Sequence, residues 1–258
     1  ALPYRAGSAL LGRICAQRWL YGRVLRGRRR LVESCLPWLG RADGQTEHLA
    51  VQRSCVSNLW RKWRAAALAG MSAEEFAQWV KLEGLANMRD GRGVVLATGH
   101  LALAHIASLA LSRVLPRECV VVGNRARAGL LLPRRERRLF DSGDPTQDPG
   151  EFARQLYEAH QALQRGGSVL IAADGYMGSS SDIVLPFLGH ERPFKTGFAE
   201  LALRAHADVI PMTASLGAGG EVCIHLGQPL TPRGADHREQ VESLVRQYVA
   251  SLENPWRE

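Results

Sequence analysis

Gly91-Arg92-Gly93-Val94-Val95-Leu96-Ala97-Thr98-Gly99-His100, running on into Leu101-Ala102-Leu103-Ala104-His105, is the stretch on which the reading of this chain turns. Val94 to Ala97 form a short apolar run with β-branched residues, which reads as a buried strand. Thr98-Gly99 breaks that run, and the Ala/Leu-rich segment after it reads as a helix ending near Pro116. In an α/β sheet such a turn lies at the carboxyl end of a strand, the edge where ligand crevices form and helix N–H groups are free for anions. His100 stands at that turn and is a candidate general base.

The alternation of strand and helix continues outward. Glu118 to Val122, Ser168 to Ala173, Val209 to Met212 and Val222 to Leu226 read as strands, with helices over Phe152 to Leu163, Phe198 to His206 and Arg238 to Leu252. Upstream, Glu47 to Leu68 carries Val51, Cys55, Leu59 and Trp63 at four-residue spacing. Ser72-Ala73-Glu74-Glu75 is a capping box opening a short helix through Phe76, Trp79 and Val80. Residues 8 to 36 set Leu10, Leu11, Ile14, Trp19, Leu20, Val24 and Leu25 among arginines, which predicts one or two basic amphipathic helices. Together these predict an α/β fold: a mixed, mainly parallel central sheet flanked by helices, with a helical N-terminal lead-in over residues 1–45. No linker divides the 258 residues, so a single domain is expected, and no internal repeat is present.

Charge narrows the partners. The formal net charge is +8, yet residues 1–64 hold thirteen basic against three acidic side chains, a net +10, so the remainder is nearly balanced. That asymmetry suits an acidic carrier protein or an anionic membrane surface. Nucleic acid is disfavoured, because no helix-turn-helix, zinc-finger or RNP-type aromatic signature accompanies the charge. Cys15, Cys35, Cys55, Cys119 and Cys223 contain no C-x-x-C pair and read as buried thiols of a reducing compartment. No apolar run reaches the roughly 18 residues of a membrane span. A cytoplasmic protein, peripheral on the inner membrane through its basic segment, is the expectation.

A strand, then Gly99-His100, then an apolar helix resembles the opening of the histidine motif of the lysophospholipid acyltransferase superfamily, nearest the late acyltransferases of lipid A synthesis. A second block is similar in order and spacing: Val169 to Gly175, Ile183 to Gly189, Pro193 to Ala202 and Val209 to Met212. The resemblance covers residues 50 to 230 and rests on order across many residues rather than on one motif. It implies a glycerolipid acyltransferase-like fold and transfer of an acyl group from a thioester of acyl carrier protein or coenzyme A to a hydroxyl or amine. The thioester is a co-substrate, and no metal or other cofactor is implied.

The resemblance makes His100 the base, and one position departs from it. The family motif is His, four residues, then Asp or Glu, whereas the fifth position after His100 is His105, and no acid lies between Arg92 and Arg117. His105 can hold the tautomer of His100 but brings no negative charge to an imidazolium. Three resolutions stay open. A weaker base suffices for an activated thioester and an amine acceptor, as in natural-product assembly; Asp174 or Glu200 supplies the carboxylate from another element; or the chain is a non-catalytic module that holds a lipid or a carrier protein.

Asp174-Gly175 matches the acid-Gly pair of the family's third block, although Met177 and Gly178 stand where the glycerolipid branch has an arginine for acceptor phosphate. Asn124, Arg125 and Arg127, after the strand ending at Val122, are candidate substrate-binding residues, as are Lys195, Thr196 and Gly197 before a helix. The small-residue loop from Tyr176 to Asp182 suits a lid, and the basic cluster Arg134 to Arg138 suits an acidic carrier. A metal site is not expected, since on one regular helix His100 and His105 would point about 140° apart and no H-E-x-x-H occurs. An acyl-serine route lacks its G-x-S-x-G signature.

Overall fold

The computed structural model describes residues 4–15, 63–99, 103–115, 117–123, 149–174, 182–217 and 220–257. Helix α1 (Tyr4–Cys15) and a helical segment over 63–69 come first. Next is α2 (Ala73–Trp79), opened by the expected capping box: Glu75 N donates to the Ser72 hydroxyl at 3.2 Å and Ser72 N to the Glu75 carboxylate at 3.0 Å. The elements that follow are β1 (Val80–Glu83), β2 (Val94–Thr98), α3 (Ala104–Val114), β3 (Cys119–Val122), α4 (Pro149–Gln164) and β4 (Ser168–Ala172). The chain then forms β5 (Asp182–Phe187), β6 (His190–Lys195), α5 (Gly197–Arg204), β7 (Asp208–Leu216), β8 (Val222–Leu226) and α6 (His237–Arg257).

Six strands form one sheet in the order β1-β8-β7-β2-β4-β3, parallel at every pairing except β7 with β8. The expected mainly parallel sheet with helices on both faces is what the chain builds. β2 lies between β7 and β4, with Val94 opposite Asp208 and Ser168, and Thr98 opposite Met212 and Ala172. All five β2 residues are buried, which is why they read as an unbroken apolar run rather than an alternating one. Val94 and Leu96 pack with α3 and the N-terminal helices, while Val95 and Ala97 pack with α4, α5 and α6. Val94, Val95 and Leu96 each contribute about 1.5–3 kcal/mol by burial.

Several boundaries differ from the sequence reading. Val80, expected to end a helix, begins an edge strand. The alternation of Val80-Lys81-Leu82-Glu83 places Val80 inside and Lys81 and Glu83 outside, and Lys81 pairs with Glu221 beside β8 at 3.1 Å. α3 begins at Ala104 and α4 at Pro149, whereas α6 runs on to Arg257. β5 and β6 form a separate antiparallel hairpin that the sequence reading did not assign as strands. Its turn residues Leu188 (φ 51°) and Gly189 (φ 82°) both take the left-handed conformation that matches the twist of a tight hairpin. The helices expected over 16–62, the basic cluster at 134–138 and the loop at 176–181 lie outside the described residues.

Candidate active site

Among the described residues, the topology favours a crevice where connections leave the sheet in opposite directions. α3 leaves β2 over one face of the sheet to reach β3, while α5 leads into β7 over the opposite face. Parallel crossovers keep one hand, so connections that leave adjacent strands in opposite directions part at their carboxyl ends. The parting lies at the ends of β2 and β4, where Gly99 and Asp174 follow the last strand residues.

The ladder between these strands extends one step past β4. Ala173 N donates to the Thr98 carbonyl at 2.8 Å, so the register that sets Thr98 opposite Ala172 carries Ala173 to the level of Gly99 and Asp174 one residue beyond it. A Cβ built on Gly99 would lie 3.3 Å from Asp174 Oδ2 and 3.5 Å from Leu252 Cδ2. The glycine thus admits a carboxylate directly against the backbone that precedes His100 in the chain. Of the two acids weighed from sequence, Asp174 is brought to this turn. Glu200 is not: its carboxylate meets His237 Nε2 at 2.7 Å and Arg204 Nε at 3.8 Å.

At the exit of β3, Gly123 N donates to Gln155 Oε1 at 3.0 Å, and Gln155 Nε2 donates to Glu151 Oε1 at 2.9 Å. Gln155 and Glu151 are both buried, and Arg154 pairs with the second Glu151 oxygen. This chain of bonds anchors the point from which Asn124 departs. On the other side of the crevice, Lys195 is bound across the hairpin to Asp182 at 2.9 Å, so part of its charge is already spent. Thr196 is buried at the N-cap of α5, and its carbonyl accepts from Ala199 N at 3.0 Å and Glu200 N at 3.1 Å; Gly197 is the first residue of that helix.

Residues 19–242 match the family model of bacterial lipid A biosynthesis acyltransferases. The chain belongs to that family. The acyltransferase is also similar to the crystal structure of the 1-acyl-sn-glycerophosphate (LPA) acyltransferase PlsC from Thermotoga maritima, at 15% identity over 98% of each chain and a TM-score of 0.43. No curated protein matches it.

Of the candidate residues of the acyltransferase, His100, Asn124, Arg125, Arg127 and Gly175 lie outside the described residues. His105 is the second residue of α3. α3 starts at Ala104, with Leu103 as its cap. Among the described residues, no group of three or more His, Cys, Asp or Glu side chains is arranged to hold a metal ion, and no helix is long and apolar enough to cross a membrane.

The structure adds residues that sequence reasoning missed. Gln155 and Glu151 carry no motif, and a polar side chain on an amphipathic helix gives no local sign that it is buried. Tyr248 lies in α6 with no motif around it, yet its hydroxyl is buried without a hydrogen-bond partner among the described residues. Its ring packs on Phe198 at 5.1 Å between centroids. Burial first, then the charge of Asp174, hold the phenol's pKa well above its ordinary value, while Arg192 pulls it the other way. Cys119, half-buried on β3, has its thiol pushed up to about 12 by desolvation, so it carries no thiolate near neutral pH.

Proposed function

We propose that the acyltransferase moves an acyl group from an acyl carrier protein or coenzyme A thioester to an amine or hydroxyl acceptor, with His100 as general base and Asp174 as the carboxylate that orients it. The observation that carries this reading is the Asp174 carboxylate against Gly99, at the parting of the crossovers and one residue before His100. In this scheme the His100 imidazole takes the acceptor's proton as the nucleophile attacks the thioester carbonyl. The tetrahedral intermediate then collapses and the thiol leaves with the proton returned by the imidazolium. Asp174 stabilises that imidazolium without accepting its proton, the part a motif acid would play at position 105.

His105, at the start of α3, supports the tautomer of His100. Asn124, Arg125 and Arg127, with Gly175, Lys195, Thr196 and Gly197, line the substrate side, where side-chain charge and helix N–H groups suit an anionic acceptor or donor phosphate. The basic N-terminal residues dock an acidic carrier or an anionic inner-membrane surface, which makes association salt-sensitive.

The test is intact-mass spectrometry of reactions with acyl-carrier and acyl-coenzyme A donors of several lengths and a panel of amine and hydroxyl acceptors. Transfer that is lost in both His100→Ala and Asp174→Asn supports the pair. Transfer lost in the first and intact in the second removes Asp174 from the mechanism. The preferred acceptor in the panel states whether the variant motif serves amines.

A further inference from the structure

The buried hydroxyl of Tyr248 has no hydrogen-bond partner among the described residues, and α6 places it within the field of the proposed catalytic carboxylate. A buried hydroxyl without a hydrogen bond costs about 1–3 kcal/mol, and a phenylalanine would fill the same space without that cost. Tyr248 is fully buried, and its ring is held on Phe198 at the start of α5. Leu252, one helical turn further along the same face, touches the Gly99 position together with Asp174, so the helix points this stripe at the end of β2.

Charge of both signs surrounds the phenol. Asp174 acts on it from the end of β4 and Arg192 from β6. Arg192 is itself fixed over the Phe187 and Phe194 rings at 6.0 and 5.8 Å. From α5 the packing partner is the Phe198 ring, while the nearest acid of that helix, Glu200, is engaged by His237. On α6 itself, Glu253 accepts from Leu188 N at 2.8 Å, at the hairpin turn. Asp174 is thus the carboxylate that a donor at Tyr248 serves.

We infer that Tyr248 is a positioning residue, its hydroxyl donating to the Asp174 carboxylate when substrate is bound and so holding that carboxylate toward the base. The inference rests on the proposed role of Asp174. Catalytic hydrogen bonds are often long until substrate draws them in. The conformational adjustment needed is rotation of a hydroxyl and a small movement of a half-buried aspartate at a strand end. Shared with the phenol, the carboxylate stays ionised and in one orientation through the reaction.

The experiment compares Tyr248→Phe, Asp174→Asn and the double variant, with dodecanoyl-coenzyme A and dodecanoyl-acyl carrier protein as donors and the acceptor that the panel selects. Tyr248→Phe is expected to keep or raise the melting temperature, because it removes an unsatisfied buried hydroxyl. Its kcat falls about ten-fold with KM unchanged, the size of a lost hydrogen bond to a charged group. The acid limb of its pH profile moves to higher pH, since a carboxylate no longer shared with the phenol holds the imidazolium proton more tightly. In the Asp174→Asn background the same substitution adds nothing.

Tyr248→Phe with the wild-type kcat and pH profile, beside an impaired Asp174→Asn, overturns this inference and leaves the role of Asp174 standing. Equal and additive losses overturn it too, because they place the two side chains in separate tasks. An unimpaired Asp174→Asn removes both readings at once.

Discussion

Gly99→Ala separates the stability of the crevice from its chemistry. The glycine does not occupy a left-handed conformation, so alanine introduces no backbone strain. Restricting the unfolded chain favours the variant by about 0.4–1 kcal/mol. Against this, the new methyl meets Asp174 Oδ2 at 3.3 Å and Leu252 Cδ2 at 3.5 Å, closer by a few tenths of an ångström than a relaxed contact. Overpacking of that kind costs about 1–3 kcal/mol when nothing yields, and less here because both neighbours are side-chain ends. The two effects nearly cancel, and the melting temperature shifts by no more than about 4 °C in either direction.

Activity does not cancel in the same way. Misplacing a reacting group by about 1 Å can cost on the order of a hundred-fold, so moving Asp174 by a few tenths lowers kcat about four-fold. Steady-state acyl transfer and a thermal melt on the same preparation read both quantities. A well-folded variant with unchanged kcat refutes the argument that the carboxylate's position against Gly99 matters. A fall in melting temperature beyond about 10 °C refutes the packing estimate instead.

Other perturbations probe the frame around the site. Gly93→Ala sets a methyl 2.3 Å from the Leu163 carbonyl oxygen and 2.9 Å from its Cα, backbone that cannot swing aside; a loss of about 3 kcal/mol or more is expected in urea denaturation. Gln155→Leu removes the acceptor of Gly123 N and one of the donors to the buried Glu151, which keeps Arg154; stability falls by about 1–3 kcal/mol and the β3 exit is freed, read as faster amide exchange at Gly123. Alkaline unfolding follows from Tyr4 and Cys119, each pushed up to about 12, and from Tyr248, held well above its ordinary value by burial. All three are neutral in the fold and ionise earlier in the unfolded chain, so their stability is complete below about pH 8 and is lost as pH rises, from Cys119 first and from the tyrosines above about pH 9. The fall is about 1 kcal/mol per group and pH unit, and Tyr248→Phe flattens it above pH 10 in a pH series of chemical melts.

Order and type of most elements were legible because their signals are local. The apolar run of β2, the capping box at Ser72 and the amphipathic stripe of α4 each depend on neighbours within a few residues. The short strand β1 was misread because Val80 continues the apolar spacing of the preceding helix and only pairing with β8 makes it a strand. The β5–β6 hairpin escaped for a related reason: Pro186 and Pro193 mask a strand pattern that two positive-φ turn residues nonetheless close.

The sequence by itself determined the class of fold, the family to which its ordered motifs point, and the absence of an acid five residues after His100, since each of these is a property of spacing along the chain. It left open which acid takes that place, because Asp174 and Glu200 are both compatible with proximity until the strands are paired. The tertiary structure brings one of them, Asp174, to the turn at Gly99. One hydrogen bond from Ala173 to Thr98 sets Asp174 beside Gly99, while α6 brings His237 to Glu200 and a buried phenol into the field of Asp174. Such contacts join residues 37 to more than 70 positions apart, and no local pattern encodes them: register across a sheet and the seating of a terminal helix exist only once the core has closed around β2.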